Sequence, residues 1–178
     1  AGLRALLSRG GAAGPLEELP GTIRPLARAH RLPEPRLDAG RLLAAAKPGM
    51  CGALNDISDG LASEAWEIAE ASGVRLVLRG DRIPLTDGLR EYAASVGTDP
   101  LDFALYGGED YELLGTVRAA YAAELARSFE RAGLALWFVG EVVAADGDGV
   151  GTASGVTLVR SPGEAGVPLG KKGYNHFS

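Results

Sequence analysis

The chain has 178 residues, enough for one good-sized domain or two small ones. Its 18 basic and 23 acidic residues leave a net charge of −5, which argues against a nucleic-acid-binding surface, since that usually shows as a basic stripe. With 46% apolar and 6% aromatic residues it reads as a soluble globular domain whose core is mostly Ala, Leu and Val, and no apolar run approaches the ~20 residues needed to span a bilayer.

The chain opens on Ala1 rather than methionine, directly on a short predicted helix at Leu3–Leu7. A piece of a longer protein is therefore expected. No basic segment followed by an apolar one marks a signal peptide at Ala1; the lone Cys51 fits a reducing compartment, so a cytoplasmic location is expected. Ser8–Gly21 is rich in Gly, Ala and Pro and reads as a flexible connection. Residues 1–22 thus form a helix and linker, and 23–178 form the main domain. Helices are predicted over Ile23–His30 and Arg36–Ala46, separated by Leu32-Pro33-Glu34-Pro35, whose prolines force extended backbone.

Gly52–Ile57 is predicted as a strand. Cys51 before it reads as a small packed residue, and as a lone cysteine it rules out an internal disulfide. His30 and His176 lie far apart with no ligand-spaced partner, so no zinc site is expected. Leu61–Ser72 is an amphipathic helix with Leu61, Ala65, Ile68 and Ala69 inward and Glu64, Glu67 and Glu70 outward. Ser58 or Asp59 is the expected cap, and Gly73 fits the C-terminal stop. A strand at Val74–Leu78, a turn at Ile83–Leu85, and helices at Leu89–Val96 and Asp99–Leu105 follow. Tyr111–Val117 is predicted as a strand, Ala119–Ala132 as a long helix and Leu134–Val143 as a buried strand. A loop at Ala144–Gly155, a strand at Val156–Arg160, a loop at Ser161–Gly170 and a tail at Lys171–Ser178 close the chain. This order predicts an α/β layered domain, α+β in part, with a mixed sheet packed by helices.

Two stretches carry chemistry. In Asn55-Asp56-Ile57-Ser58-Asp59-Gly60-Leu61, two carboxylates, a hydroxyl and a glycine fall in one turn before a helix. That turn is either a helix cap or an anionic cradle. Hard cations take oxygen ligands, and magnesium usually binds through one or two carboxylates plus substrate phosphates. A helix N-terminus adds N–H donors for phosphate oxygens. In Leu105-Tyr106-Gly107-Gly108-Glu109-Asp110-Tyr111-Glu112-Leu113-Leu114, two glycines free the backbone for a tight turn or a close ligand approach. Glu109 would then face a cationic or hydrogen-bonding ligand. Tyr174 and Phe177 are either a clasp on the core or a wall for a flat ring. There is no GxxxxGK[ST], no GxGxxG after a strand, and no GxSxG or HExxH. Phosphate chemistry here would use carboxylate-held magnesium without a P-loop lysine.

These two stretches resemble thiamine-monophosphate kinase. So do Ile68-Ala69-Glu70-Ala71-Ser72-Gly73, Arg31-Leu32-Pro33-Glu34-Pro35-Arg36 upstream and Gly173-Tyr174-Asn175-His176-Phe177 at the end. The family shares its architecture with aminoimidazole ribonucleotide synthetase, selenophosphate synthetase and a hydrogenase-maturation factor. The resemblance implies a C-terminal synthetase-like domain, with the family's N-terminal ATP- and metal-binding domain absent. It implies transfer of the γ-phosphoryl of ATP to thiamine monophosphate, with Mg2+, in a cytoplasmic homodimer that needs neither membrane nor nucleic acid. It further implies that Asp56 and Asp59 bind magnesium, Ser58 contacts ATP, and Glu109 and Tyr174 meet the substrate. Catalysis would rest on positioning and cations, with no protein group as general base. This chain alone is expected to be inactive. Asn55 departs from the aliphatic residue usual before the first Asp.

Overall fold

The computed structural model describes residues 1–8, 14–145 and 154–171. The helices are α1 (Gly2–Leu7), α2 (Arg24–Arg31), α3 (Leu37–Ala44), α4 (Leu61–Ser72), α5 (Asp87–Ser95), α6 (Pro100–Tyr106) and α7 (Ala122–Arg131). The strands are β1 (Cys51–Asp56), β2 (Val74–Arg79), β3 (Leu113–Val117), β4 (Gly140–Ala144), β5 (Gly155–Val159) and β6 (Val167–Pro168).

Two sheets result. β1 and β3 form an antiparallel ladder, while the larger sheet has the order β4-β2-β5-β6. In the larger sheet β2 runs parallel to β5 and antiparallel to β4, and β6 is antiparallel to β5. The sheet is mixed, as the sequence suggested, but β1 and β3 stand apart from it. The main core lies between α4 and the larger sheet. Leu61, Ala65, Ile68 and Ala69 pack with Leu76, Leu78, Val156 and Leu158, all buried. A smaller core joins α3 and α7, where Met50, Leu125 and Phe129 are buried against Leu42, Leu43, Leu134 and Leu136. None of the described helices is long and apolar enough to cross a membrane.

The helix α4 occupies the residues its apolar spacing predicts, and Gly73 ends it in the left-handed conformation at φ 62°. Its start differs from expectation. Gly60 is the N-cap, and neither Ser58 nor Asp59 caps the helix through its side chain. Glu64 is also not outward, being only 3% exposed. The predicted helix at Ala119–Ala132 begins with a 3-10 turn at Ala119–Tyr121 and becomes α-helical only from Ala122. A 3-10 turn at Leu16–Glu18 orders part of the stretch expected to be flexible, and Val167–Pro168 adds a short strand to a predicted loop.

The largest correction concerns Leu134–Val143. Only Gly140–Ala144 is a strand, and it is not buried. Among the described residues, β4 is the sheet's outer strand and pairs only with Val74–Leu78 of β2. Upstream of it, Val139 still accepts a bond from the Arg79 N–H. Trp137 and Phe138 are 55% and 40% exposed. Apolar content without a second layer above it gives an uncovered edge, not a core strand.

Candidate functional site

The β1–β3 ladder positions the site. Asn55 stands opposite Leu114 and Asp56 opposite Leu113. Beyond the regular pairing the two chains stay stitched. Ile57 N–H donates to Glu112 O (2.8 Å), Tyr111 N–H to Ile57 O (2.8 Å), and Glu109 N–H to Ser58 O (2.7 Å). The acidic turn and the double-glycine loop are therefore one structural unit, although about fifty residues of chain separate them. Glu109 and Tyr111 take the left-handed conformation at φ 65° and 50°. That conformation is uncommon without glycine, and it explains why β3 starts at Leu113 rather than at Tyr111.

Two glycines make the close approach possible. Gly60 has φ 103°, and a Cβ there would lie 2.9 Å from Leu105 O and 3.1 Å from Gly107 O. A Cβ on Gly107 would meet Phe103 O at 2.3 Å. The end of α6 thus packs directly on the entrance to α4.

Each side chain has its own setting. Asp56 is exposed, on the face of β1 that alternates away from Asn55. It lines an open groove of about 470 Å³ with Arg36, Leu37, Gly40 and Arg41 of the α3 region and with Tyr111 and Leu113. Ser58 and Asp59 are half-buried. Glu64 reaches back from α4 and accepts from Asp59 N–H (3.2 Å), Ser58 Oγ (3.4 Å) and Asn55 Nδ2. The same Asn55 amide also donates to Glu67 at 3.0 Å. Loss of hydration pushes the Glu64 carboxyl up; the Asp59 N–H opposes this and the Glu67 charge adds to it.

In the loop, Glu109 Oε2 lies 3.1 Å from His30 Nδ1 of α2, and the Glu109 side chain is 54% exposed. Asp110 is exposed at its surface. It is nevertheless surrounded by enough protein that desolvation pushes its carboxyl up to about 6, opposed by the Ala1 amino group and reinforced by Glu112. Glu112 holds Arg36 in a two-point pair, with Nε to Oε2 at 3.0 Å and Nη2 to Oε1 at 2.6 Å. That pair ties the proline-rich segment before α3 to the double-glycine loop. Tyr174 lies outside the described residues.

Among the described residues, no group of three or more His, Cys, Asp or Glu side chains is arranged to hold a metal ion. Asp56, exposed, and Asp59, half-buried, each offer carboxylate oxygens, the donor type that magnesium takes. The sequence reading missed Glu64, which lies within the Leu61, Ala65, Ile68 stripe at helical spacing. It also missed His30 and the Arg36–Glu112 pair, for which no local signal exists.

A mixed α/β domain that joins an acidic strand-to-helix turn to a glycine-rich loop defines the class. The family of AIR synthase related proteins, C-terminal domain, matches residues 5–152, and the chain belongs to that family. The chain is 38% identical over 148 residues to the thiamine-monophosphate kinase of Bacillus subtilis, covering 83% of this chain and 41% of that protein. The solved complex of AaThiL with AMPPCP and TMP superposes with a TM-score of 0.69 at 28% identity, over 99% of this chain and 47% of that one. The thiamine-monophosphate kinase of Stenotrophomonas maltophilia superposes with a TM-score of 0.69 at 29% identity, over 88% of this chain and 45% of that one. The resemblance drawn from the motifs is borne out by these relatives. The chain spans less than half the length of each.

Proposed function

We propose that this chain is the C-terminal part of a thiamine-monophosphate kinase, which transfers the γ-phosphoryl group of ATP to thiamine monophosphate and yields thiamine diphosphate. The observation that carries this reading is the backbone stitching of Ser58 and Ile57 to Glu109, Tyr111 and Glu112. It puts the acidic turn beside the loop, in a fold shared with the solved AMPPCP and TMP complex.

Asp56 and Asp59 would hold Mg2+, and Ser58 would contact ATP. Bound magnesium neutralises phosphate charge and aligns the transferred group. Glu109 presents a half-exposed carboxylate, which suits a positively charged thiazolium ring. Tyr174 would complete the substrate wall. The attacking phosphate oxygen is already anionic, so no protein group need remove a proton. The turn and loop act by fixing positions and excluding misalignment. A homodimer in the cytoplasm, with an N-terminal domain supplying further metal ligands, belongs to the same proposal.

A second reading is a binding half without turnover. It is favoured by the absence of any third metal-ligating side chain beside Asp56 and Asp59 among the described residues. A coupled ADP-release assay with thiamine monophosphate, run with and without an added N-terminal half from a relative, separates the two. Turnover only in the combined sample supports the kinase reading, with this chain as its binding half. No turnover in either sample contradicts it. Replacing thiamine monophosphate with aminoimidazole precursors or selenide tests the other synthetases of the superfamily.

A further inference from the structure

We infer that Glu64 is the positioning residue of the acidic turn: its buried carboxylate sets the Ser58–Asp59 backbone in the orientation that a cation–phosphate ligand requires. The inference rests on reading that turn as the ligand cradle.

The geometry is specific. Glu64 is 3% exposed, on the first turn of α4. It does not serve the helix's own N–H groups. It reaches back past Gly60 and accepts from Asp59 N–H at 3.2 Å and from the Ser58 hydroxyl at 3.4 Å, both through Oε1. Its other oxygen accepts from Asn55 Nδ2. All three donors come from the segment that carries Asp56, Ser58 and Asp59. The Asn55 amide is in turn held by Glu67 at 3.0 Å, so Asn55 is fixed between two carboxylates.

An ordinary helix start needs none of this. A Ser or Asp at the N-cap satisfies the free N–H groups at the surface without burying a charge. Burying a carboxylate is unfavourable unless hydrogen bonds replace its hydration. Here the bonds that replace it all tie down the acidic turn. Gly60 has no side chain and a backbone at φ 103°, so it cannot fix the turn's direction by itself. Glu64 adds a restraint from inside the core to the backbone bonds that Ile57 and Ser58 make with the loop. Asn55, through its side-chain amide, serves the same network.

The test uses the 178-residue chain combined with the N-terminal half of a relative, and Mn2+ with AMPPCP, followed by calorimetry and by the amide proton of Asp59 in an NMR spectrum. Glu64→Gln keeps the volume but loses the charge and turns one acceptor into a donor facing Asn55. It is expected to weaken Mn2+–AMPPCP binding about tenfold, the loss expected for one charge-assisted hydrogen bond. The melting temperature should change little. The Asp59 amide proton should shift and exchange faster with solvent. Glu67→Gln should weaken binding less than threefold, and Glu70→Gln, on the exposed face beside Lys171, should leave it unchanged.

Unchanged binding in Glu64→Gln, or equal losses in Glu64→Gln and Glu67→Gln, would overturn the inference while the cradle stands. Failure of the unaltered chain, combined with that N-terminal half, to bind Mn2+–AMPPCP would overturn the cradle reading and this inference together.

Discussion

The acidic turn and the Leu134–Ala144 segment are built from opposite materials. The turn is polar, with carboxylates, amides and a hydroxyl, yet it is fixed by backbone bonds to the double-glycine loop, by Glu64 and by a glycine with no room for a side chain. The other segment is apolar, yet it runs along an open sheet edge with Trp137 and Phe138 exposed. Order in this molecule follows from how many independent partners hold a segment, not from its hydrophobicity. A polar stretch with many partners is rigid and can present ligands in fixed positions. The apolar stretch anchors Leu134, Leu136 and Val139 against the two cores but leaves Trp137 and Phe138 at the margin.

The sharpest way to break that contrast is Gly60→Ala. A Cβ there meets two backbone oxygens that have no freedom to move, at a φ that L side chains rarely adopt. We expect a loss of about 3 kcal/mol or more in urea unfolding. Gly73 also has a positive φ, 62°, but its Cβ would meet open space, so Gly73→Ala should cost only about 1 kcal/mol. Equal costs at the two positions would mean that the packing of the α6 end on the turn is unimportant.

A smaller effect sharpens the contrast on the loop side. The Asp110 carboxyl is pushed up to about 6 from an ordinary 3.8, chiefly by desolvation. The folded chain therefore holds a proton that the unfolded chain releases earlier. Stability is greatest below about pH 4 on this group's account and falls as the pH rises toward 6. The exposed edge of Asp110 screens the effect, so the drop should be well below the ~3 kcal/mol of a fully buried two-unit shift. Asp110→Asn should flatten this part of the stability-against-pH curve. A curve that keeps its full slope in the variant would assign the fall to other carboxylates.

The smallest expected effect lies on the open edge. Trp137→Ser should change unfolding stability by less than about 1 kcal/mol, since surface changes away from special features are usually mild. A larger loss would show that the edge is more firmly built than its exposure indicates.

The same contrast explains what the sequence could reveal. Leu61–Ser72 was legible because a regular apolar spacing and a terminal glycine are both local signals, and the helix packs as its pattern requires. The acidic turn and the double-glycine loop were legible as chemistry because unusual residue types cluster within a few positions. That they touch was not legible, because the contact depends on the β1–β3 register and on Gly60. Glu64 was hidden by its charge: a carboxylate on a helix reads as outward until its partners are known. His30–Glu109 and Arg36–Glu112 join residues far apart in the chain, and no spacing announces them. Leu134–Val143 misled because apolar composition says that a segment can be buried, whereas topology decides whether anything covers it.

The cradle reading is tested most directly by Mn2+ binding in the presence of AMPPCP to the chain combined with the N-terminal half of a relative, measured by electron paramagnetic resonance for the unaltered chain and for Asp59→Asn. The expected result is nucleotide-dependent Mn2+ binding that weakens at least tenfold when Asp59 loses its charge. Equal Mn2+ affinity in the two proteins would contradict it and leave the turn as nothing more than the entrance to a helix.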